Sequence, residues 1–151
     1  MKIDSTLPEN ERTIGALLRA PWQVLAERVY GQLAEAGYPD IRPAHGAVFR
    51  YICTEGSRVV ELAERAGMTK LSMAALVDYL VGHGYAIVGP DPNDGRAKRV
   101  QLTKKGKVVQ LAALNLSRQV EAEWASLIGE QEMASLRGLL EKLYEELNKA
   151  P

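Results

Sequence analysis

The apolar positions of this chain change their period along its length, and each change marks an element. Between residues 12 and 36, Leu17, Leu18, Val24, Leu25, Val29 and Leu33 recur at spacings near three and four, the repeat of one helix face. Pro21 interrupts the run. Either a short helix ends near Arg19 and another starts with Pro21 in its first turn, or one helix is kinked there. Residues 37–40 (Gly-Tyr-Pro-Asp) break it. Pro43 opens the next helix, with Val48, Phe49 and Ile52 as its stripe and Gly56 as its end. Val59, Val60, Leu62 and Ala63 predict a helix of about two turns that Gly67 terminates. Thr69 is placed to cap a further helix, because its hydroxyl can accept from a free amide one turn on. That helix carries Leu71, Met73, Leu76, Val77 and Leu80 and closes at Gly82 and Gly84. Two helices joined by a short turn containing glycine form a helix-turn-helix.

After Gly84 the period falls to two. Residues 85–88 read as a short strand, residues 89–95 are dense in turn formers, and residues 97–102 alternate with Val100 and Leu102 on one face. This predicts a β-hairpin with an extended polar tip, and a helix-turn-helix followed directly by such a hairpin is a winged helix. Thr103 caps a long helix over residues 104–128, Gly129 breaks it, and Glu130 and Glu132 open a last helix striped by Met133, Leu136, Leu140, Leu143 and Leu147.

The expected fold is mainly α with a small β-hairpin wing. A winged helix-turn-helix core (residues 43–103) is flanked by an N-terminal helical segment (residues 1–42) and C-terminal helices (residues 104–151). The core is too small to cover the apolar stripes of both flanks. A symmetric partner would cover them, so the flanks are expected to build a homodimer.

Composition agrees with this frame. A chain of 151 residues, 46% hydrophobic and 25% charged, makes one folded domain rather than a disordered one. No apolar run reaches the length of a membrane span, and the polar stretch MKIDSTLPENERT is no secretory signal. A single cysteine forms no internal disulfide, and a cytoplasmic location is the default. Net charge is zero, with 19 basic residues against 19 acidic ones, yet the charges are segregated. Arg96, Lys98, Arg99, Lys104, Lys105 and Lys107 follow one another with no acid between them, whereas residues 121–146 hold seven acids against Arg137 and Lys142. Nucleic-acid binding responds to such local clusters rather than to the sum. The same lysines would also suit a merely solvated hairpin and helix start.

The stretch LAERAGMTKLSMAALVDYLVGHGYAIVGPDPNDGRAKRVQLTKKG (residues 62–106) resembles the MarR family of bacterial transcriptional regulators. The resemblance is densest in Asp-x-x-Asp-x-Arg (residues 91–96), in the Leu-Thr-x-x-Gly that follows (residues 102–106) and in Leu-Val-Asp-x-Leu (residues 76–80). It implies a homodimeric winged-helix protein that binds a pseudo-palindromic operator in double-stranded DNA. Members usually repress nearby genes and are often released by a small ligand or by oxidation of a cysteine.

Thr69, Lys70 and Ser72 fall in the first turn of the predicted recognition helix, the end that enters the major groove. Thr69 serves equally well as a plain cap, and Lys70 suits phosphate better than a base. Arg96 sits at the wing tip, where a long cation can enter the minor groove. Asp94 resembles the family's wing aspartate and is expected to hold Arg96 by an ion pair. Lys98 and Arg99 alternate in facing, so at most one of them meets the duplex. The chain departs from the family in lacking a basic residue near Ala75 and charged residues at 87–89. Lys70 is then the one cation of the recognition helix, which implies few phosphate contacts and a shallow salt dependence.

In the family, a ligand pocket lies where the dimerisation helices meet the winged helix. Trp22, Tyr38 and His45 are the candidates for it here, suited to a small aromatic ligand. Each also has an ordinary structural role open to it. Cys53 does not match the position of the redox-sensing cysteine and reads as a small buried hydrophobe. His45 and His83 lack metal-ligand spacing. No phosphate loop, nucleophile elbow or zinc-protease motif is present, so neither enzymatic activity nor a cofactor is expected. The competing reading is a winged helix used as a protein-interaction module, with DNA binding weakened or lost.

Overall fold

Thr13 starts the first helix. Its side-chain oxygen accepts from the Ala16 amide, and α1 then runs through Pro21 as a single helix, Ile14–Glu35. The computed structural model describes residues 12–149, so residues 1–11 of the polar N-terminal stretch lie outside it. A 3-10 turn at Pro43–His45 leads into α2 (Gly46–Tyr51). That helix ends before Gly56. Ile52 is already extended, and the chain turns at 53–56 to bring Ser57 against Val100, where each amide donates to the other's carbonyl at 2.9 and 2.8 Å. The hairpin is thereby tied to the segment before α3.

Helix α3 (Val59–Ala66) stops at Gly67, whose φ of 64° is a left-handed conformation that glycine adopts without strain. Helix α4 (Lys70–Gly82) buries Met73, Val77 and Leu80. Leu71 departs from the expected stripe. It lies two residues from Met73, about 200° around the helix, and so points away from the core.

The wing strands β1 (Ala86–Asp91) and β2 (Asp94–Leu102) pair antiparallel from Ala86 opposite Leu102 to Asp91 opposite Asp94. The strands therefore run further than their turn-forming residues suggested, and only Pro92 and Asn93 lie between them. Gly89 and Pro90 belong to β1. The register shifts between Pro90 and Asp91, the kind of irregularity at which a strand accepts proline.

Helices α5 (Lys104–Ile128) and α6 (Glu130–Lys149) complete the chain. Thr103 caps α5 by accepting from the Gly106 amide at 3.1 Å. Gly106 is buried so tightly against the Tyr85 carbonyl that a Cβ there would overlap it. The Thr and Gly of the Leu-Thr-x-x-Gly motif therefore form the joint between wing and α5.

One apolar cluster holds these elements together. Val29 and Leu33 of α1, Phe49 of α2, Leu62 of α3, Leu80 of α4 and Val109 of α5 all belong to it. The inner parts of both flanking helices thus share the core of the winged helix. Arg28 adds a two-pronged bond from α1 to Glu123 of α5, 2.9 Å at each contact. The outer parts are different. Leu17, Leu18 and Trp22 of α1 remain exposed, and α6 buries none of its residues. Among the described residues, no helix is long and apolar enough to cross a membrane.

Candidate nucleic-acid interface

The first turn of α4 presents Thr69, Lys70 and Ser72 to solvent. The Thr69 hydroxyl accepts from the Ser72 amide at 3.1 Å and donates to the Ser72 hydroxyl at 2.9 Å. Thr69 is thus engaged as the cap, while Ser72 keeps its own proton for an outside acceptor. Lys70 has no ion pair among the described residues.

The wing is organised around Asp91, whose side chain is 1% exposed. One carboxylate oxygen accepts from Arg58 Nε at 2.7 Å; the other accepts from the Asn93 amide at 2.9 Å and lies 3.5 Å from Arg99. The Arg58 bond, followed by the Asn93 amide, holds this carboxyl below its ordinary value. A buried carboxylate here needs such partners, and Arg58 and Arg99 clasp it from the start of α3 and from β2.

The expected Asp94–Arg96 ion pair is not what forms. Asp94 Oδ1 accepts from the backbone amide of Arg96 at 3.1 Å, and its other oxygen lies 3.9 Å from Arg58. An aspartate two residues back reaches the main chain more readily than the end of a long side chain. Asp94 therefore shapes the turn and leaves the Arg96 guanidinium without an ion pair among the described residues. Arg96 and Lys98, two apart on β2, are both exposed and point to the same side of the strand. Arg99 is turned inward to Asp91 and to the Glu55 carbonyl, so of the Lys98/Arg99 pair it is Lys98 that is free. Arg58 was invisible to sequence reasoning because its partner lies 33 residues away. Asp91 carried a signal, as the first residue of the wing motif.

A cavity of about 420 Å³ opens between α1, α2 and α5. Trp22, Val29, Phe49 and Leu114 supply apolar wall, and Tyr30, Arg50 and Gln110 supply polar groups. Of the three ligand candidates only Trp22 lines it. Tyr38 packs edge-on to Tyr85, with ring centroids 6.3 Å apart. His45 is buried, accepts from the Arg42 amide at 2.9 Å and stacks on Tyr79 of α4 at 4.4 Å. Tyr79 also stacks on His83, at 3.9 Å. The two histidines, remote in sequence, thus meet one ring. No group of three His, Cys, Asp or Glu side chains among the described residues is placed to hold a metal. Cys53 is half-buried, and its sulfur accepts from Arg65 at 3.3 Å.

Residues 40–97 match the sequence profile described as the MarR family. Over that central stretch the chain is similar to the MarR family. It is 28% identical over 106 residues to the transcriptional regulator HosA of Escherichia coli O111:H-, a match covering 70% of this chain and 78% of that protein. MarR from E. coli, in its apo form, has a similar structure, with a TM-score of 0.71 and 25% identity over 87% of this chain and 97% of that one. The repressor CouR, solved bound to a 23-mer DNA duplex, shares the fold with a TM-score of 0.72 and 21% identity over 93% of this chain and 99% of that one. By their names, HosA is a transcriptional regulator and CouR a transcriptional repressor.

Proposed function

We propose that this chain is a MarR-type transcriptional regulator, two copies of which bind a pseudo-palindromic operator in double-stranded DNA and repress transcription until a small ligand releases them. The observation that carries this reading is the wing. Asp91, clasped by Arg58 and Arg99, anchors a hairpin whose outward cations, Arg96 and Lys98, have no ion pair among the described residues. Cations kept free at the end of an anchored hairpin suit phosphate and the narrow minor groove. Lys70 and Ser72 would meet the major groove from the first turn of α4, with Thr69 holding that turn and Asp94 holding Arg96 in place.

In this reading the DNA-binding core spans residues 43–103. The flanks, residues 1–42 and 104–151, supply the dimer interface through the exposed leucines of α1 and α6. A regulator that acts on such an operator would work in the cytoplasm. The cavity beside α1 is the ligand site: Trp22 offers an aromatic wall and Arg50 a cation, which together suit a small aromatic acid.

Mobility-shift titration at fixed salt tests the proposal. Arg96→Ala should weaken operator binding about tenfold or more, while sedimentation still reports a folded dimer. The same titration at low salt on random duplex separates this reading from a protein-interaction module, which would show no binding.

A further inference from the structure

Leu71 is the most exposed large hydrophobic residue among those described, at 83%. It stands in the first turn of α4 between Lys70 and Ser72, on the side opposite the buried Met73. It contributes nothing to the core. One turn further on, the exposed neighbour is Ala75, too short to keep the helix away from a surface. The outer surface of this turn is therefore one cation, one hydroxyl and one large apolar side chain.

The major groove offers one apolar feature, the C5-methyl of thymine, and aliphatic side chains recognise it by contact. We infer that Leu71 reads a thymine methyl in each operator half-site and is a specificity-determining residue of this regulator. The inference rests on the DNA-binding reading above and adds to it the base that the helix selects. Lys70 and Ser72, on either side, would hold phosphate and a base edge while Leu71 excludes water from the methyl group. A recognition helix with a single cation then gains its discrimination from apolar contact, which is insensitive to salt.

Replacing thymine by deoxyuridine removes the methyl group and leaves base pairing unchanged. Each thymine of a bound operator is replaced in turn, and affinity is measured for the full-length protein and for Leu71→Ala. One position per half-site should weaken binding about fourfold when its methyl is removed, the size expected for burying one such group. At that position Leu71→Ala should bind the two duplexes equally, with its melting temperature unchanged. Equal binding of thymine and deoxyuridine duplexes by the unaltered protein overturns the inference, as does discrimination that survives in Leu71→Ala. Failure to bind any duplex overturns the DNA-binding reading itself, and Leu71's role with it.

Discussion

Arg58 Nε donates to Asp91 Oδ2 over 2.7 Å, and this bond ties the start of α3 to the far end of the wing. Asp91→Asn keeps the size of the side chain and removes the charge that Arg58 and Arg99 face. The variant should melt at lower temperature and bind DNA more weakly than the unaltered protein, whereas Arg96→Ala should lose binding alone. Arg58→Ala and Asp91→Asn should not add when combined, because they remove the same bond. The folded-state value of the Asp91 carboxyl lies below its ordinary 3.8. Its contribution to stability is therefore complete above that ordinary value and is lost as pH falls through the lower folded-state one. Thermal melting and mobility shift, run on the same preparations, check all three variants.

His45 titrates in the same sense at higher pH. Burial, and next the positive charges of Arg42 and His83, hold its imidazole below the ordinary 6.5, with Asp40 opposing them. Between the depressed value and 6.5 the unfolded chain binds more protons than the folded one, so stability rises with pH across that window. Protonation would also remove the acceptor that Nδ1 offers to the Arg42 amide. Melting temperature measured from about pH 5 to about pH 8 should fall toward acid, and His45→Gln should flatten that slope. An equal slope in the variant would remove His45 from the account.

Gly106 packs against the Tyr85 carbonyl with no room for a side chain. Gly106→Ala must move either the wing or the start of α5, at a cost of about 1–3 kcal/mol. A denaturant titration should show a lower midpoint with an unchanged slope.

A small aromatic carboxylate bound in the cavity beside α1 would contact both Trp22 and Arg50. Binding should quench Trp22 fluorescence and loosen the protein's grip on its operator. Arg50→Ala should raise the ligand concentration needed about tenfold or more, the range for losing a charged hydrogen bond. Release of DNA at unchanged ligand concentration in Arg50→Ala would place the ligand elsewhere.

The sequence revealed the parts of this molecule that depend on neighbours in the chain. Thr103 and Gly129 flank α5 so clearly that its ends, Lys104 and Ile128, were legible without coordinates. Thr69 and Gly67 marked the helix-turn-helix in the same way. The wing strands were harder to read because Gly89 and Pro90 are turn formers by composition and strand residues by virtue of their partners, Arg99 and Lys98. Arg58 gave no local signal for the same reason. From the sequence His45 is a candidate ligand contact, and only the packing of α4 shows it stacked on Tyr79. Leu71 fitted the list of apolar residues in its helix, and its outward direction emerges only when the angle to Met73 is taken into account.

Selection of bound sequences from random duplexes tests the central claim most directly, because it reports affinity, symmetry and spacing together. A dimer gripping DNA through two wings and two recognition helices should enrich an inverted repeat whose half-site centres lie about 10 base pairs apart. No enrichment, or enrichment of a single half-site without a symmetric partner, would contradict it.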